Sequence, residues 1–291
     1  MKIVPISYGG DSKSFRISAE GKQLILRVGG RRENYDVEHV VLNMIRKKKG
    51  LVPKGISASP DYSLQEIIDG VSLDKVPQRQ WTSIIHGVGK QLEIVHNIKI
   101  SGFGQIDVNT YREDRLLRGS NQSWLEFLQS IFSYRFDEFK SKVEKEQSEG
   151  FIGSKLPLSR QKQLVEVVQR EKEIKSKLNK LPEINQGSLL HGDLHFEHIL
   201  VRKNKLSGLI DFNKTLTGDP LYDIAYFSIM PHGELYPELL ETTKHINFDS
   251  KAFSLYRLLI SVGKLYTRYV RLDYLHDYPE VLDHLFAELS K

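Results

Sequence analysis

Residues 189–201 read LLHGDLHFEHILV: an apolar segment, a polar run holding His191, Asp193, His195, Glu197 and His198, then a second apolar segment. Three chemistries compete for that run. In metal hydrolysis, His191, Asp193 and His195 alternate and would share one face of a strand, and both residue types ligate zinc. A catalytic zinc site needs three protein ligands and an open position, and hydrolases usually complete theirs from distant segments; the other histidines (39, 86, 96, 232, 245, 276, 284) show no paired spacing such as H-E-x-x-H. A solvated polar turn is the second reading. The apolar flanks argue against it, because they place the loop over a core where buried charges need partners. Phosphoryl transfer is favoured. It needs an aspartate to orient a hydroxyl and accept its proton, and further groups to hold Mg²⁺ against phosphates. Asp193 sits on the loop, His198 at its exit, and a β-hairpin folded about RKNK (202–205) returns the chain to Asp211 in LIDF.

Working outward, the first 70 residues predict strands at KIVPIS, SFRIS and LILRV, separated by Gly9-Gly10 and by AEGK (19–22). A helix follows, with Val37, Val40, Val41, Met44 and Ile45 at helical spacing and Gly50 ending the run. LQEII (64–68) is a further strand, stopped by Asp69-Gly70. Helices are expected over 78–98, 123–143 and 160–178, and again from Pro220, with Asp219 as N-cap and proline at the first helical position.

Composition bounds the function. The 291 residues, 40% hydrophobic and 27% charged, support a globular core. With no cysteine, disulfides, thiolate metal sites and a cysteine nucleophile are excluded, and a reducing compartment is a natural setting. The N-terminus has no apolar run of signal-peptide length and no stretch approaches a transmembrane span, so a cytoplasmic protein without membrane partners is expected. The net charge of +5 comes largely from IRKKKG (45–50) and from lysines alternating with glutamates over 140–180, the pattern of solvated helices. No recognition motif accompanies it, so no nucleic-acid partner is expected. A monomer is expected.

The run HGDLHFEHILV…SGLIDFNKTLTGDPLYDIAYF resembles the core of the aminoglycoside phosphotransferase family, which shares the protein-kinase-like fold. ISYGGDSKSFRIS resembles its phosphate-covering hairpin, KQLILRV its strand bearing the phosphate-binding basic residue, LQEIIDGVSL its hinge, and QLEIVHNI the helix before its substrate region. LRVGG and SGFGQID are similar to the hygromycin-kinase branch, and histidine at 198 to the 2″-aminoglycoside and macrolide kinase branches. The resemblance implies an α+β, bilobal fold. Residues 1–68 would form a small antiparallel-sheet, nucleotide-binding N-lobe with one helix, and 69–291 a larger, mostly helical lobe with the catalytic loop, metal site and substrate cleft. It implies that Asp193 is catalytic, that His198 and Asp211 hold Mg²⁺, and that Ser12, Arg27, Glu38 and the hinge Glu66, Ile67 and Ile68 bind ATP or GTP. His191 and Asp223 would support the loop.

The implied reaction is transfer of a γ-phosphate to a hydroxyl of an aminoglycoside or aminocyclitol antibiotic such as hygromycin. Such cations need an acidic cleft, for which Asp219, Asp223, Glu234 and Glu238 are candidates. A metabolic kinase for a sugar, choline or homoserine-like acceptor, or a nucleotide-binding pseudokinase scaffold, are the alternatives. Two residues depart from the pattern. Arg27 stands for the usual lysine and is not equivalent to it. His198 stands where protein kinases have asparagine. Mg²⁺ prefers oxygen ligands, so the imidazole predicts good tolerance of Mn²⁺.

Overall fold

A computed structural model describes residues 2–9, 12–19, 21–29, 34–150, 155–272, 275 and 279–291. It opens with strands β1 (Lys2–Gly9), β2 (Ser12–Ala19) and β3 (Lys22–Val28), helix α1 (Tyr35–Lys47), and strands β4 (Gly55–Ser59) and β5 (Tyr62–Glu66). These strands form one antiparallel sheet in the order β1-β2-β3-β5-β4. α1 buries Tyr35, Val37, Val41, Leu42 and Ile45 at three- and four-residue spacing, and Glu38 lies within that apolar stripe.

Next come β6 (Val71–Ser72), α2 (Trp81–His96), β7 (Lys99–Ile100), β8 (Phe103–Ile106), α3 (Val108–Asp114) and β9 (Gly119–Asn121). The helices α4 (Trp124–Ser148), α5 (Leu158–Gln169) and α6 (Glu171–Leu178) follow, then strands β10 (Gly187–Leu190), β11 (Ile199–Arg202), β12 (Lys205–Leu209) and β13 (Leu216–Gly218). Helices α7 (Leu221–Ser228), α8 (Tyr236–Thr242), α9 (Ser250–Leu265) and α10 (Glu280–Leu289) complete the chain. The architecture is the α+β one expected: an antiparallel sheet at the N-terminal end and a C-terminal region dominated by helices. No helix among the described residues is long and apolar enough to cross a membrane.

Three details differ from the sequence expectation. β4, GISAS, has small residues with weak strand preference and pairs only because β5 lies beside it. The strand expected over 64–68 ends at Glu66, although Ile67 N–H still donates to Gln23 O at 3.1 Å. The helix expected over 160–178 is two helices meeting at Arg170.

The chain divides into two compact units, one from Met1–Ser120 and Gln186–Ile246, the other from Asn121–Asn185 and Asn247–Lys291. The expected lobe boundary at 68 and 69 falls inside the first. In that unit, a small sheet ordered β7-β10-β13-β8-β9 and a three-stranded sheet β12-β11-β6 flank the 191–198 loop. α2 buries Trp81, Ile84, Ile85, Val88, Leu92 and Val95, with the Trp81 ring edge-on to Phe196 of the loop, and α7 is buried on every face. The hairpin joining β11 to β12 turns at Lys203 and Asn204, both at positive φ (49° and 61°), the backbone of a two-residue primed turn. The second unit is helical. Trp124, Phe132, Phe136 and Phe139 of α4 and Tyr256 of α9 are among its buried side chains, and Trp124 Nε1–H donates to Tyr256 Oη at 2.9 Å.

Candidate active site

The loop after β10 is built around a glycine. Gly192 has φ +77°, and a Cβ there would sit 2.1 Å from Lys214 O. Only glycine allows both that backbone and that approach. On either side the histidine and aspartate are buried. His191 Nδ1 accepts the Asp193 N–H at 3.3 Å, so its Nε2 carries the proton and donates to Ile210 O at 3.0 Å. Burial, reinforced by His198 nearby, pushes its pKa below the usual histidine range, which keeps the ring neutral.

Below the loop lies Asp223, one turn into α7 and fully buried. Its carboxylate accepts from His191 N–H (2.8 Å), Gly192 N–H (2.9 Å) and His96 Nε2 (3.0 Å). Burial alone would raise its pKa. The His96 hydrogen bond, the charge there and the backbone donors outweigh it and hold the group below its ordinary value. His96 Nδ1 meets His245 Nε2 at 2.8 Å. Since a carboxylate only accepts, His96 donates through Nε2 and, when neutral, accepts through Nδ1 from His245 Nε2–H. His245 Nδ1 is buried with no hydrogen-bond partner. Burial first, then His96 and Lys99, lower the His245 pKa to about 4.

On the loop itself, Asp193 is 5% exposed and both its carboxylate oxygens are engaged. Tyr226 donates its hydroxyl to Oδ1, and Lys214 Nζ reaches Oδ2 at 2.7 Å. Tyr226 is three residues after Asp223 on α7, so one helix face serves both sides of the loop. Lys214 is three residues after Asp211 and its side chain is 61% exposed.

His198 donates Nδ1–H to Asp193 O at 2.9 Å, and its Nε2, which bears a lone pair when the ring is neutral, lies 3.5 Å from Asp211 Oδ2. Asp211 is held at φ +67°, a conformation uncommon outside glycine and tolerated best by Asn and Asp. Arg27 of β3 donates to Asp211 Oδ1 at 3.3 Å and to both oxygens of Glu38 at 3.1 Å. Gln65 also donates to Glu38, at 3.2 Å. With Glu38 1% and Arg27 13% exposed, this is a largely buried ion pair whose other end touches Asp211. One carboxylate and one imidazole, with Nδ1 held on a backbone carbonyl and Nε2 turned toward that carboxylate, therefore converge, a donor set that fits a divalent cation.

The other predicted residues are more dispersed. Ser12 opens β2, and its side chain lies outside the described residues. Glu66 is ion-paired with Lys54 at 3.5 Å and its N–H donates to Lys54 O. Ile68 lies close enough to Gly208 that a Cβ there would sit 2.5 Å from Ile68 Cδ1. Asp219 Oδ1 accepts Leu221 N–H at 3.0 Å, as a cap does. Glu234 is mostly exposed, 3.9 Å from His232, and Glu238 Oε2 is buried without a hydrogen-bond partner. Sequence reasoning missed Lys214, Tyr226, His96 and His245. The first two were detectable as polar residues three places beyond Asp211 and Asp223.

No match was found among curated proteins. A solved structure of aminoglycoside phosphotransferase APH(4)-Ia superposes with a TM-score of 0.73 at 16% identity, covering 99% of this chain and 93% of the other. A thermostable mutant of that enzyme, solved as a ternary complex with AMP-PNP and hygromycin B, gives 0.74 at 17% identity over 99% and 93%. A putative fructosamine-3-kinase from Thermobifida fusca YX-ER1 gives 0.64 at 13% identity, over 100% and 94%. These likenesses establish the bilobal kinase-like fold. The family model described as the phosphotransferase enzyme family matches residues 2–250. The chain belongs to that family and is a phosphotransferase.

Proposed function

We propose that this enzyme transfers the γ-phosphate of a nucleoside triphosphate to a hydroxyl of an aminoglycoside- or aminocyclitol-type antibiotic of the hygromycin kind. The observation that carries the reading is Asp193: a buried carboxylate on the loop that also presents His198, with Asp211 across from it. In this scheme the acceptor hydroxyl displaces the exposed Lys214 ammonium from Oδ2 and passes its proton to that carboxylate as its oxygen bonds to phosphorus. The bond from phosphorus to the β-phosphate oxygen breaks, and the nucleoside diphosphate leaves. Tyr226 holds the other carboxylate oxygen and with it the side-chain rotamer. Positioning and charge stabilisation account for most of the rate in this chemistry. His198 and Asp211 would hold Mg²⁺, or Mn²⁺, which when bound neutralises charge on the phosphate oxygens. Arg27, braced by Glu38, faces the α/β-phosphates, and residues 66–68 receive the base. Asp219, Glu234 and Glu238 are the acidic side chains offered to a cationic acceptor, while Asp223 serves the loop backbone.

A second reading, phosphorylation of a metabolic small molecule such as a sugar amine, is favoured by the likeness to the fructosamine-3-kinase fold. One screen separates the readings: nucleotide consumption with ATP and with GTP over aminoglycosides, hygromycin, macrolides, and sugar, choline and homoserine-like acceptors. Turnover with hygromycin or an aminoglycoside, lowered about 10²–10⁴-fold in Asp193→Ala while nucleotide still binds, is the expected result. Turnover confined to sugars or other metabolites selects the second reading. Nucleotide binding with no transfer to any acceptor overturns both.

A further inference from the structure

We propose that the catalytic loop carries a second metal-binding mode, selective for a divalent transition ion such as Zn²⁺ and made by Asp193, His195 and His198. The backbone sets it up. A single 3₁₀ turn spans Phe196–His198, closed by His198 N–H donating to His195 O at 3.0 Å. His195 is the extended residue that caps this turn, three places before His198, and the two rings lie with centroids 3.8 Å apart. One ligand atom from each of Asp193, His195 and His198 lies within 4.8 Å of the other two. Ligand atoms around a tetrahedral ion with bonds of about 2.1 Å are about 3.4 Å apart, so closure asks for little movement.

Three further observations select these residues. His198 donates Nδ1–H to a backbone carbonyl, the outer-shell bond that fixes tautomer and ring orientation in metal-ligating histidines. His191, stacked beside it at 5.8 Å, is disqualified because both its nitrogens are spent on Ile210 O and Asp193 N–H. At Asp193 Oδ2 the present cation is a mostly exposed lysine, which an ion can replace at small cost. Two imidazoles and one carboxylate suit zinc and disfavour magnesium, which demands oxygen ligands. The two modes exclude each other: zinc draws His198 away from Asp211 and occupies the carboxylate that must receive the acceptor proton. Zinc is thereby an inhibitor of transfer. That consequence rests on the proposed function, whereas the binding itself does not.

The test begins with the metal-free 291-residue chain, without nucleotide or Mg²⁺. Zn²⁺ is titrated against a chromophoric chelator and Co²⁺ by visible absorption. One ion per chain is expected, with the intense Co²⁺ bands of four-coordination and a rise in Tm on Zn²⁺ addition. Loss of an outer-shell partner alone costs 10–100-fold in affinity, so His195→Ala is expected to weaken binding at least about tenfold and to lose the Tm rise. Zn²⁺ binding that is equally tight in folded His195→Ala, or no stoichiometric binding in the wild type, overturns the proposal. A second arm measures Mg²⁺-dependent turnover with the acceptor found by the screen. Zn²⁺ should inhibit the wild type, and at least about tenfold more should be needed to inhibit His195→Ala relative to its own zinc-free rate. Zinc binding as described without any turnover removes the proposed function and leaves this site standing. Turnover insensitive to zinc, with no zinc bound, removes the site alone.

Discussion

Two aspartates serve the same loop and are held in opposite ways. Asp223, beneath it, is fully buried and spends its carboxylate on two backbone N–H groups and a buried histidine. Asp193, on it, has its carboxylate bonded to two side chains, one of them a lysine that is 61% exposed. The lower carboxylate fixes where the backbone runs, and none of its partners can leave without stranding a buried donor. The upper one is oriented but releasable. A site that must be rigid in place and exchangeable in contact divides those demands between two residues of one chemical type.

Substitutions can break that division or sharpen it. The largest effect is expected from Asp193→Ala, which should lower kcat by about 10²–10⁴, the range for removing a general base, with little change in Tm. Asp223→Ala should act on the fold, costing about 3–5 kcal/mol in a urea titration, because it leaves two backbone donors and His96 unpaired in the interior. Removing one hydroxyl in Tyr226→Phe should lower kcat roughly tenfold, the lower end for a hydrogen bond to a charged group, with KM for nucleotide unchanged. If the cost appears in stability instead, Tyr226 belongs with the lower aspartate. A separate effect is a pH slope. His245 titrates at about 4 in the fold against 6.5 for the free side chain, so the native state binds fewer protons than the unfolded state in between. Stability should therefore fall as pH drops from about 6.5 towards 4. His245→Asn should flatten that slope, measured by thermal melts across the interval.

The layout of helices was legible because apolar residues recur at three and four along α1, α2 and α4. The small sheet around the loop was not, because its strands run only two to four residues, too short for an alternation to register. At the site, Asp193, His198 and Asp211 stood out because a loop and a tight hairpin keep them within a short span, and the structure brings them together. His96 and His245 meet across 149 residues, and neither the end of one helix nor a residue after another announces such a partner. Lys214 and Tyr226 fall between these extremes, since their helical or near-helical offset from a recognised aspartate was visible but not its meaning.

The β11–β12 hairpin joins the strand that leaves His198 to the strand that arrives at Asp211, and its tip at Lys203 and Asn204 is exposed. Since the chain contains no cysteine, Asn204→Cys would create a unique thiol at that tip. A fluorophore attached there needs no background mutagenesis. It would sit at the far end of the element connecting His198 to Asp211, turning a structural hairpin into a reporter handle for occupancy of the loop.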